Sequence, residues 1–177
     1  MDFLKRLFGL AAAPPEAEPD MIGWVVLSNT DVELTVDRLR TTLDQLHPGQ
    51  FLPANDRNFV IEGAVPDSQF MIQLNVAGAA GMFMLHSVPG PYTDFSDFAE
   101  AITEPGLRAL AVAQQAWLAV DTMHVHTTEA EAYRLIGALL AKLAPPDAAV
   151  LAHPSKPIVM RFDGDVRSRL ASGLQPT

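Results

Sequence analysis

No cysteine occurs in the 177 residues, so disulfides, thiol nucleophiles, redox pairs, iron-sulfur clusters and cysteine zinc sites are excluded. Basic residues are scarce as well: 12 Lys and Arg stand against 21 Asp and Glu, a net charge of −9. A protein that tracks a phosphate backbone needs a basic footprint, so nucleic acid is not an expected partner. No apolar run approaches the roughly 20 residues of a membrane-spanning helix. Residues Met1–Leu10 do not read as a signal peptide either, because Lys5 and Arg6 interrupt the apolar run and no cleavage site follows. The expected location is the cytoplasm.

Hydrophobic residues make up 49% of the chain, enough for one core that buries roughly two-thirds of the unfolded surface. The 14 Pro and 11 Gly are spread along it and divide it into short elements. Two parts are expected. Residues 1–20 form an N-terminal segment and linker, and residues 21–177 form a single α+β domain. In the segment, Phe3, Leu7 and Leu10 share a helical face with Leu4 and Phe8 beside them, a short amphipathic pattern. Residues 11–20, AAAPPEAEPD, bury too little to order themselves and read as an extended linker. Phe3, Leu7 and Phe8 are therefore candidate contacts to a partner or to the protein itself, and a membrane foothold is the weaker alternative.

Within the body, Met21–Ser28 is apolar almost throughout, as for a central strand covered on both faces. Thr30 and Glu33 have capping-box spacing ahead of Val32, Val36, Leu39, Leu43 and Leu46, which predicts a helix ended by His47, Pro48 and Gly49. Phe59–Val65, Gln69–Val76 and Met82–Val88 predict an antiparallel meander. Helical stretches are expected from Asp94 and over Leu107–Gln115, and a strand over Trp117–Val125. A second capping box, Thr128 with Glu131, opens a helix that Pro145 and Pro146 stop. Ala148–Ala152 and Ile158–Phe162 read as short strands, with a last turn of helix at Val166–Leu170. This order predicts a largely antiparallel sheet with helices packed on one face.

With its opening strand and capped helix, its meander, QQAWLAVDTMHV, and the helix leading into AVLAHPSKPIVMR, the chain resembles the bacterial family called domain of unknown function 4261 over roughly residues 21–170. The resemblance lies in element order and apolar pattern. It implies an α+β body, no assigned activity and no family site residues to carry over.

Few residues point to chemistry. His124 and His126, two apart on a strand, share a face and could hold a divalent ion given a third ligand. Asp121 sits at odd spacing and would face the other way in a regular strand; Glu129, His86 and His153 could join only through the tertiary fold. The pattern fits two surface or half-buried histidines at the end of a strand better than a metal site, and their alternative use is a pH-responsive patch. His86, beside Met82, Met84 and Val88, fits a hydrogen-bonded core or rim residue better than a base. A set with Asp94 or Asp97 and Ser87 or Ser96 lacks a nucleophile elbow. Gly78 and Gly81 lack the rest of a dinucleotide fingerprint, and Asp163, Gly164 and Asp165 fit a tight turn rather than a calcium loop.

Lys156, Arg161, Arg167 and Arg169 read as solvated surface charges. Met71, Met82, Met84, Met123 and Met160 fall in strands, where methionine fills core gaps; Met71 and Met123 on an outer sheet face beside Gln73 and Asn75 would instead form a contact surface. The expectation is a cofactor-free, non-catalytic module that binds a protein partner or a second copy of itself. A metal-dependent enzyme using His124 and His126, and a peripheral membrane module, are the rival readings.

Overall fold

A computed structural model describes residues 22–49, 59–64, 69–74, 80–92, 102–154, 156 and 158–174, with the backbone alone at 59–64 and at His124. The amphipathic segment with Phe3, Leu7 and Phe8, its linker, and the helix expected from Asp94 lie outside these residues. The elements are β1 (Gly23–Ser28), α1 (Val36–Leu46), β2 (Phe59–Ala64), β3 (Gln69–Leu74), β4 (Gly81–Pro89), α2 (Pro105–Val112), β5 (Ala116–Val125), α3 (Glu129–Leu143), β6 (Val150–Ala152), β7 (Val159–Arg161) and α4 (Gly164–Ala171).

The seven strands form one sheet in the order β2-β3-β4-β5-β1-β6-β7, and every neighbouring pair is antiparallel. The fold is α+β. β1 lies between β5 and β6 with all six residues buried, as its unbroken apolar sequence requires. Trp24 and Val26 point into the main core with Ile72, Phe83, Leu85, Leu118, Val120 and Leu151, beneath α1, α3 and α4. Val25 and Leu27 point the other way, into a smaller cluster with Ile102, Leu107, Ala111, Ala119 and Val150. The main helical layer thus occupies one face, while α2 adds local cover to the opposite face around β1.

α3 is set by local chemistry at both ends. The Thr128 side chain accepts from the Glu131 N–H at 3.3 Å, and the Glu131 carboxylate accepts from the Thr128 N–H at 3.0 Å, from the Thr128 hydroxyl at 2.8 Å and from the Thr127 hydroxyl. These bonds favour the ionised form and lower the Glu131 pKa from 4.5 to about 2, the Thr127 hydroxyl contributing most. Because the folded value is depressed, this stabilisation is present above about pH 4.5 and is lost as the pH falls towards about 2. Glu131→Gln should accordingly lower the urea midpoint at neutral pH, with the deficit shrinking through that window; a deficit independent of pH would contradict the charge-based account.

At the other end of α3 the free carbonyls are met by two arginines. Arg167 donates to Ala144 O at 3.1 Å and Pro145 O at 2.7 Å, and Arg38 donates to Leu143 O at 3.0 Å. Arg167 also lies over the Phe162 ring, 4.9 Å from its centroid. Its expected role as a solvated charge is thus corrected: the carbonyls of Ala144 and Pro145, just past the end of α3, need donors, and α4 delivers one. Arg167→Met should cost about 1.5–3 kcal/mol in chemical denaturation, the range for hydrogen bonds from a charged donor. Arg161 pairs with Glu104 in the open, where such contacts are worth little.

The helix expected from a Thr30 cap begins later. Thr35 is the cap of α1, accepting from the Arg38 N–H at 3.2 Å, and residues 31–35 are not helical. Val32 and Leu34 are both buried at a spacing of two, and the Thr30 hydroxyl donates instead to Asp147 at 2.8 Å. Asp163 caps α4 by accepting from Asp165 N–H and Val166 N–H at 3.1 and 3.0 Å, which accounts for the Asp-Gly-Asp sequence without a cation.

Candidate functional site

The sheet face opposite α1 and α3 carries the most chemically varied cluster among the described residues. Antiparallel pairing sets its rows: Val88 opposite Trp117, His86 between Gln69 and Ala119, and Met84 between Met71 and Asp121. Alternation along β4 gives a buried Phe83, Leu85 and Ser87 on one side and half-buried Met82, Met84, His86 and Val88 on the other.

His86 has the small side chain of Ala119 directly across from it, which leaves room for the imidazole to lie between its two diagonal neighbours on β5. On one side it stacks on Trp117, with ring centroids 6.2 Å apart and planes at 29°. On the other its Nε2 is 3.6 Å from Asp121 Oδ2, with side chains 16% and 19% exposed. That separation is longer than a hydrogen bond, so the contact is an ionic one made when the imidazole is protonated. Tyr92 meets the Trp117 ring edge-on at 5.1 Å and ties the cluster to the apolar patch under α2.

Burial raises the Asp121 carboxyl above its ordinary value of 3.8, and the nearby His86 opposes that rise. The folded state therefore holds this proton more tightly than the unfolded chain does. The contribution is present below the ordinary carboxylate range and is lost as the pH rises through the raised value. Asp121→Asn, neutral at every pH, should be more stable than the parent at neutral pH, with the advantage fading on acidification. Urea midpoints across the acid range test this, and a less stable Asn variant at neutral pH would show that the His86 contact outweighs desolvation.

Ser87 faces the main core, where its hydroxyl donates to Val32 O and reaches Asp31, so it is separated from His86 by the sheet. Asp94, Ser96 and Asp97 lie outside the described residues. His153 is also on the main-core side, 1% exposed, with its Nε2 2.7 Å from the Tyr133 hydroxyl and its ring edge-on to Trp24. The sheet thus keeps His86 and His153 apart.

Beyond the end of β5, the exposed His126 donates its backbone N–H to Ala80 O at 3.0 Å. The side chain of His124 lies outside the description, but its backbone pairs with Met82 across a register shift that leaves Met123 as the extra residue. This bulge corrects the expected parity. Asp121 pairs with Met84 and the position of His124 pairs with Met82, so both positions fall on one sheet face. Among the described residues, no group of three or more His, Asp or Glu could hold a metal ion.

Of the methionines expected in strands, Met71, Met82 and Met84 lie half-buried on this second face and Met123 is 58% exposed, while Met160 packs against the main core. No described helix is long and apolar enough to cross a membrane. Comparison with known proteins finds no matching family model, no matching curated protein and no matching solved structure.

Proposed function

We propose that the protein is a non-catalytic, cytoplasmic self-association module whose contact surface is the second sheet face around Met71, Met82 and Met84. The observation that carries this reading is the composition of that face on β3 to β5. In a chain of net charge −9, its described side chains are methionine, glutamine, Val88 and Trp117, with His86 beside Asp121, and the position of Glu62 pairs with Met71 at its edge. Methionine offers an adaptable, polarisable contact, and Trp117 offers a large ring at one end of it. Two acidic bodies repel across most orientations, so a face whose described side chains carry few charges, and whose acid Asp121 lies beside an imidazole, is where two copies can meet. A two-fold contact also needs only one patch, used twice.

The resemblance to domain of unknown function 4261 supplies no activity and does not bear on this choice. Sedimentation velocity over a concentration series tests the reading. The parent should show a reversible monomer-dimer equilibrium, and Met71→Glu, which puts a carboxylate on the patch, should weaken it at least tenfold, about 1.4 kcal/mol. A parent that stays monomeric, or an equilibrium indifferent to Met71→Glu with the fold intact, would overturn it.

A further inference from the structure

A groove of about 340 Å³ opens on the other side of the molecule, between the ends of three helices. Leu46 and His47 at the end of α1, Leu135 and Ala138 of α3, and Ala171 of α4 line it, with Glu131, Arg134 and Ser172 among the polar residues at its margin. The volume lies at the low end of the range of sites that take small ligands or a few side chains.

We infer that this groove is the seat of the protein's own N-terminal segment, with Phe3, Leu7 and Phe8 inserted between α1, α3 and α4. Three observations lead there. The first is position: Ile22 O accepts from Thr122 N–H at 3.0 Å, and α3 begins four residues after β5 ends, so the chain enters β1 at the sheet end where the groove lies. The second is reach. Residues 11–21 extend to about 36–40 Å and, if flexible, average about 17–20 Å, against a radius of gyration of about 15 Å for the body. A tether of that length gives the segment a local concentration in the millimolar range, well above what a separate molecule offers at ordinary dilution.

The third is complementarity. The apolar side chains Phe3, Leu4, Leu7, Phe8 and Leu10 find leucine and alanine walls in the groove, whose Glu131 carboxylate already faces Arg134, so the match is chiefly apolar. A ten-residue amphipathic stretch is marginal as an isolated helix and gains its stability by packing its apolar face. This docking is independent of the contact proposed for the sheet face.

The absence of cysteine makes the test clean. A nitroxide on Lys5→Cys in the 177-residue chain should weaken the amide signals of His47, Arg134, Ala138 and Gly173. Leu7→Glu, or Ala138→Lys filling the groove, should restore those signals. Met71→Glu on the sheet face should leave the pattern unchanged, which separates this inference from the proposed self-association. Signals that stay strong around the groove, or a weakening that survives both Leu7→Glu and Ala138→Lys, would overturn it. A weakening that appears on the unlabelled copy in a mixed sample would also overturn it, by placing the segment on a neighbouring molecule.

Discussion

Leu139→Ala is expected to cost about 2–5 kcal/mol, the range for emptying a leucine site that cannot collapse. Leu139 has no exposed surface and sits on the face of α3 that packs over the centre of the sheet, in the same cluster as Val26, Phe83 and Leu118. Because α3 is also held by its capping box and by Arg38 and Arg167 at its carbonyl end, the helix has little freedom to sink into the space left behind. Most of the lost contact should therefore appear as lost stability. With global stabilities of about 5–15 kcal/mol, a loss of this size brings a domain close to unfolding at physiological temperature. Thermal and urea unfolding would measure it, and a loss well under 1 kcal/mol would mean that α3 shifts far more freely than its two anchored ends imply.

Gly23→Val is expected to cost about 1–3 kcal/mol or more through overpacking, and to disturb the His86 and Asp121 contact as well. Gly23 pairs directly with Asp121, and a Cβ at this position would stand 2.8 Å from Asp121 Cβ and 3.2 Å from both Asp121 Cα and Val120 O. Two of these are backbone atoms of the neighbouring strand, so the clash cannot be relieved by a side-chain rotation alone. Glycine is needed here for close approach between strands rather than for an unusual backbone angle. Asp121→Gly in the same chain removes the nearest of the three atoms, and the two substitutions should be clearly non-additive in a double-mutant cycle. Additive effects would place the strain elsewhere in β1.

The difference between these two sites reflects what sequence carries locally. The ends of α3 were legible because Thr128, Glu131, Pro145 and Pro146 act on the backbone within a few residues of themselves. The central place of β1 was legible for a similar reason: six consecutive buried positions leave no wet side. Thr30 and Glu33 carry the same spacing as the true capping box, yet Thr30 is taken by Asp147, 117 residues away, and Val32 is drawn into the core ahead of the helix. A distant partner decided between two locally acceptable structures.

The candidate site was less legible. His86, Trp117 and Asp121 meet because β4 pairs with β5 in one register and because Ala119, opposite His86, is small. Neither fact is written within either strand. Met123 shows the limit most clearly, since one extra residue in the ladder reverses the alternation that a regular strand would give to Asp121 and the position of His124. The three methionines of that face were visible as strand residues, but their common side became apparent only from the cross-strand rows joining Met71 to Met84 and Gln73 to Met82.

Methionine methyl spectra of the isotope-labelled 177-residue chain, recorded over a concentration series, report on the proposed contact itself. Self-association through the second sheet face predicts progressive shifts or broadening at Met71, Met82 and Met84, with Met160 on the main-core side unmoved. Spectra that do not change while the chain remains monomeric, or changes centred on Met160, would contradict it.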